Sequence, residues 1–164
     1  MRQDTVHYPL IKKYFAGMRH DLKEIANYEL LQEGLSGAAI YRVELPEGAA
    51  ILKITLVSAN PIAQQRAQRE LAFYQQLASH VPLHTPRILG AHSDQGGIAL
   101  LMAMYQPSPP PTQWPATDYL EIARQLGQFH ATFWAKTEQL GHLSWLNPHQ
   151  PEQITADIQQ AYTY

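Results

Sequence analysis

A chain of 164 residues with 45% apolar and 16% charged side chains is one ordinary domain, or a piece of a larger one, and can bury a real core. Its net charge of −2 and lack of any basic block argue against nucleic acid as a partner. It has no cysteine, which excludes disulfides, zinc ribbons and thiol catalysis and suits a reducing cytoplasm. Neither a signal-peptide pattern nor a membrane-spanning apolar stretch is present, so no membrane role is expected.

The first 27 residues read as a helical extension, with Tyr8, Ile11, Tyr14 and Phe15 at helical spacing and Pro9 in the first turn. A strand begins near residue 28. Residues 40–57 then read as a β-hairpin, since Ile40 to Leu45 alternates in polarity and Pro46-Glu47-Gly48 is a turn signal. Asn60-Pro61 opens a helix to about Ala78, with Ala63, Ala67, Leu71, Tyr74 and Leu77 as its inner stripe. Gly96-Gly97 turns into a buried strand from Ile98 to Tyr105. Five prolines between Gln106 and Pro115 make a stiff connector. Asp118 and Glu121 fit a capping box for a helix to Trp134, with Ile122, Leu126, Phe129, His130 and Phe133 facing inward. A last helical pattern is still running at Tyr164.

The chemistry concentrates between Glu33 and Glu70. Strand alternation puts Lys53 on one face with Ile51 and Thr55, opposite Ala50, Leu52 and Ile54. A lysine among aliphatic side chains must reach solvent or meet an anion. Glu70 sits beside the inner stripe of the next helix and is the natural partner. An ammonium held there can contact nucleotide phosphates. The turn Gly34-Leu35-Ser36-Gly37 lets backbone N–H groups come close to the same phosphates. Each feature alone also has a plain structural role: a connecting turn, an edge lysine, a solvated glutamate. Their order and spacing favour the joint reading.

These residues, with Ile51-Leu52-Lys53, Arg69-Glu70, Pro86-Arg87, Leu100-Leu101-Met102 and the helix from Leu126 to Trp134, resemble the N-terminal part of the aminoglycoside phosphotransferase and choline kinase superfamily, most closely its ecdysteroid-kinase-like branch. The resemblance covers about residues 28 to 150. It implies an α+β fold: a protein-kinase-like small lobe of twisted antiparallel sheet plus one helix over 28–105, a proline-rich hinge or connector over 106–117, and the first helices of an incomplete large lobe over 118–164. It further implies that Lys53 contacts the α- and β-phosphates of ATP, that Glu70 pairs with it, and that Ser36-Gly37 lies over the phosphates. The Ala103 to Tyr105 backbone would be the hinge that binds adenine. Family members often carry an acidic pair at this hinge, where this chain has Ala103-Met104. His130 is expected to be a core histidine packed behind the missing catalytic loop.

Such a kinase needs a His-x-Asp loop with asparagine five residues later, followed by a metal-binding aspartate. Arg19-His20-Asp21 precedes the glycine turn and has Ala26 at the asparagine position. His92-Ser93-Asp94 lies in the small lobe and has Ala99 there. Asp157 lacks the histidine. No catalytic residue is therefore expected in this chain, and Mg²⁺ is expected only with the missing lobe. His80 and His84 flank the helix-breaking Pro82 and make no metal site. Three readings follow: a truncated small-molecule kinase inactive alone, a non-catalytic module that binds nucleotide or a partner chain through the exposed C-terminal helices, and a structural domain. The hydroxyl acceptor is open among sugar-like, choline-like and steroid-like molecules.

Overall fold

The computed structural model describes residues 7–18, 25–33, 37–58, 61–106 and 108–146. It divides into two units, residues 1–132 and 133–164. In the first, five strands form one antiparallel sheet: β1 (Asn27–Glu33), β2 (Ala38–Leu45), β3 (Gly48–Leu56), β4 (Ile88–Asp94) and β5 (Gly97–Ala103). Their order is β1-β2-β3-β5-β4. The helices are α1 (Tyr8–Met18), α2 (Pro61–Gln76) and α3 (Ala116–Phe133). This is the expected α+β arrangement of a kinase-like small lobe.

Alternation along the strands separates two faces. On one, Ala50, Leu52 and Ile54 of β3 join Tyr41, Val43 and Leu45 of β2 and Ala99 and Leu101 of β5. Helix α1 closes this face with buried Ile11, Tyr14 and Phe15. The N-terminal helix thus shares the core of the sheet. On the other face lie Ile51, Lys53 and Thr55, and α2 covers part of it with buried Ala63 and Ala67. Small residues here let α2 approach the sheet, whereas Leu71, Tyr74 and Leu77 of the expected stripe are only half-buried.

The hairpin of residues 40–57 is observed as Ala38 to Leu56, with Ile40 paired to Lys53. The helix expected to reach Ala78 ends at Gln76, and a 3-10 turn follows over Ala78–His80. Strand β5 stops at Ala103, two residues before the expected end. Helix α3 begins at Ala116 rather than Asp118: the Asp118 N–H already donates to Pro115 O at 3.0 Å, so Asp118 lies inside the first turn and is no cap. Pro115 forces Trp114 into an extended conformation (φ −75°, ψ 133°) and leaves the helix to start directly behind it. No residue of α3 is buried, and His130 is exposed, edge-on to Phe129.

The second unit contains a short helix, α4 (Thr137–Leu140), and a 3-10 turn over Ser144–Leu146, with Leu143 buried. The expected helix near residues 152–162 lies outside the described residues, as do Gly34, Ser36, Asn60 and Pro107. Among the described residues, no helix is long and apolar enough to cross a membrane.

Candidate functional site

The site is built on the sheet face that carries Lys53. Its Nζ donates to Glu70 Oε2 of α2 at 2.6 Å. The two side chains are only 23% and 28% exposed, so the pair is shielded without being dry. Cross-strand register puts Ile40 on one side of Lys53 and Leu100 on the other. This apolar setting is why the ammonium meets a carboxylate instead of lying free. An ammonium has three N–H donors, and Glu70 occupies one of them. The others can meet an anion arriving over the face.

Beside this pair, Ile51 lies two residues before Lys53 on the same face, and its partner on β5 is Met102. Ile40, Ile51 and Met102 thus give the face an apolar stretch next to a fixed positive charge. Ala103 and Tyr105 follow directly. The Ala103 N–H donates to Arg87 O at 2.9 Å, so that donor is committed within the sheet. Its carbonyl is then the main-chain group that Ala103 can offer. Tyr105 is past the strand, and its own N–H has no partner among the described residues. Its phenol oxygen accepts the Arg87 N–H at 3.2 Å, which ties the segment after β5 to the start of β4.

Tyr74 is one turn beyond Glu70 on α2, and the sequence reading gave it only a packing role. Burial pushes its phenol pKa up, and the neighbouring charges of Glu70 and Tyr105 add to the shift. It therefore stays a neutral hydroxyl between the ion pair and the segment after β5. The spacing of four from Glu70 was the available signal.

Gly37 has φ of 75°, in the left-handed region that glycine adopts without a Cβ penalty. It sits immediately before β2. The β1–β2 register shifts between Leu30 and Gln32, a bulge close to the same turn. Gly34 and Ser36, the other two residues expected over the phosphates, lie outside the described residues. The structure therefore brings Lys53 and Glu70 into contact and places Ala103 and Tyr105 at the end of the strand paired with β3.

His92 and Asp94 are elsewhere. Both belong to β4, at the end nearest its turn. Asp94 Oδ2 is 2.7 Å from Lys13 Nζ of α1, and Asp94 Oδ1 accepts the N–H groups of Gly96 and Gly97. Lys13 and the turn amides hold its carboxyl down at about 2. This aspartate fastens α1 and closes a turn. Among the described residues, no group of three or more His, Asp or Glu could hold a metal ion.

The model of a phosphotransferase enzyme family matches residues 27–161, most of the chain. No curated protein matches it significantly.

Proposed function

The chain belongs to the phosphotransferase enzyme family, and from that premise we propose that it holds ATP for the transfer of phosphate to a hydroxyl group of a small molecule. The observation that carries this reading is the Lys53–Glu70 ion pair, set between β3 and α2 with donors left over for phosphate. Lys53 neutralises the α- and β-phosphates, and Glu70 keeps its ammonium from swinging away. Gly37, with Gly34 and Ser36, is assigned to contact the phosphates through backbone N–H groups, as the resemblance implies. The Ala103 carbonyl and the Tyr105 N–H read the adenine edge, and Ile40, Ile51 and Met102 pack on its faces. When bound, Mg²⁺ supplies charge neutralisation between the phosphates. Among the described residues, no group of three or more His, Asp or Glu would hold it.

The sole His-x-Asp triplet in the sequence is His92-Ser93-Asp94, and its aspartate is engaged with Lys13 and the β4–β5 turn. On this reading these 164 residues hold nucleotide without transferring phosphate on their own. The same observation favours a second reading, a non-catalytic module that binds nucleotide or a partner chain. Leu120, Ile122 and Leu126 are exposed on α3, where such a partner would be seated. A cytoplasmic setting suits both readings, since it supplies ATP to a cysteine-free chain.

Thermal unfolding of the purified chain with and without Mg-ATP, beside Lys53→Met, is the test. Saturation at about 100 times the dissociation constant adds about 2.7 kcal/mol to the folded state. An upward shift lost in Lys53→Met supports the proposal. A well-folded chain that ATP does not stabilise overturns nucleotide binding by this chain alone. Phosphate released from ATP by the purified chain would overturn its inactivity.

A further inference from the structure

The connector between sheet and helix carries a device that the nucleotide reading does not use. Residues 108–113 are all exposed, and Pro110 has the extended geometry of a polyproline helix (φ −53°, ψ 144°). Its prolines make the segment stiff along its length. Stiffness along an axis does not fix the angle at either end. Here both ends are pinned. At the first, the Tyr105 phenol oxygen accepts the Arg87 N–H of the adjoining sheet at 3.2 Å. At the second, the Trp114 indole Nε1–H donates to Pro109 O and the Tyr119 hydroxyl donates to Pro111 O, each at 2.6 Å. The two rings lean on one another with centroids 5.6 Å apart.

Tyr119 belongs to the first turns of α3, so its hydrogen bond runs from the helix back to the connector. Trp114 and Tyr119 together grip carbonyls two residues apart. The Trp114 indole reaches the carbonyl of Pro109, ahead of the turn, while the Tyr119 hydroxyl shares the Pro111 carbonyl with the Trp114 N–H. The single turn Pro111–Gln113, closed by Gln113 N–H to Pro110 O and Trp114 N–H to Pro111 O, sits inside that grip.

We propose that Trp114 and Tyr119 are positioning residues: a clasp on the Pro109 and Pro111 carbonyls that fixes the direction in which α3 leaves the sheet. The inference is independent of whether nucleotide binds.

The cysteine-free sequence allows a direct test. Spin labels are attached through Gln95→Cys, on the β4–β5 turn, and Gln128→Cys, on α3, both exposed positions. Their distance distribution is measured in this background and after adding Tyr119→Phe, then Trp114→Phe with Tyr119→Phe. Tyr119→Phe deletes one hydroxyl from an exposed side chain and leaves the core untouched, and thermal unfolding monitors the sheet. The expected result is one narrow distribution that broadens with Tyr119→Phe and more with the double variant, at an unchanged unfolding midpoint. A distribution unaffected by either variant overturns the clasp, as does one already broad without them. A fall in the midpoint that accounts for the broadening would reduce both residues to general stabilisers and overturn the positioning role.

Discussion

Lys53 and Glu70 meet at 2.6 Å across the gap between β3 and α2, seventeen residues apart in the chain. Exposed ion pairs contribute about 0–1 kcal/mol to stability, and this one is only partly shielded. Its value lies in orientation. Glu70→Ala is expected to lower the unfolding midpoint slightly while weakening Mg-ATP binding at least tenfold, about 1.4 kcal/mol in binding free energy. Titration calorimetry beside thermal unfolding separates the two effects. Equal affinity in Glu70→Ala and the parent chain would remove the pair from the site.

Helix α1 is part of the core, and Tyr14 is fully buried within it. Tyr14→Ala should cost about 3–5 kcal/mol, the range for deleting a large aromatic core side chain. Urea denaturation measures it. A loss below about 1 kcal/mol would mean that α1 is dispensable to the sheet.

Gly17 lies inside α1, where alanine ordinarily stabilises by about 1 kcal/mol. Here a β-carbon would stand 2.6 Å from His92 Nδ1 and 2.8 Å from His92 Cγ, and that ring rests edge-on to Tyr14. Gly17→Ala is expected to destabilise, and Gly17→Ala with His92→Ala to recover part of the loss. Stabilisation by the single change would show that α1 stands further from β4 than described.

Lys13 and Asp94 give α1 an acid-sensitive tie. The Asp94 carboxyl is depressed to about 2, first by the Lys13 hydrogen bond and further by the Gly96 and Gly97 N–H groups. Lys13 is raised above its ordinary 10.5, chiefly by the Asp94 hydrogen bond. A depressed carboxylate stabilises the fold above its unfolded value, near 3.8, and loses that contribution as pH falls towards 2. A raised lysine stabilises below 10.5 and loses its contribution as pH climbs through its folded value. The tie is therefore fully present from about pH 4 to 10. Unfolding midpoints of the parent chain should fall below pH 4 more steeply than those of Asp94→Asn. Added salt should narrow the difference, because the Lys13 side chain is half exposed. Parallel pH curves would show that Asp94 does not bear on folding.

The sequence determined the strands, the hairpin and the lysine–glutamate partnership, because each is encoded locally. Alternation assigns faces, Pro46-Glu47-Gly48 forces a turn, and a lysine among aliphatic residues must reach solvent or meet an anion. Helix boundaries were less legible. Asp118 matched a cap pattern, yet Pro115 set the start of α3 two residues earlier. His130 matched an inner face, yet its helix buries none of its residues. Only the tertiary structure decided that α1 seals the back of the sheet, that Asp94 fastens it, and that the Ala103 N–H is committed to Arg87. The same holds for the grip of Trp114 and Tyr119 on the proline carbonyls. These outcomes depend on which surfaces and which donors and acceptors meet across long sequence separations or in one particular backbone bend. Periodicity and propensity describe a segment against its own axis, and carry no information about the neighbour it will meet.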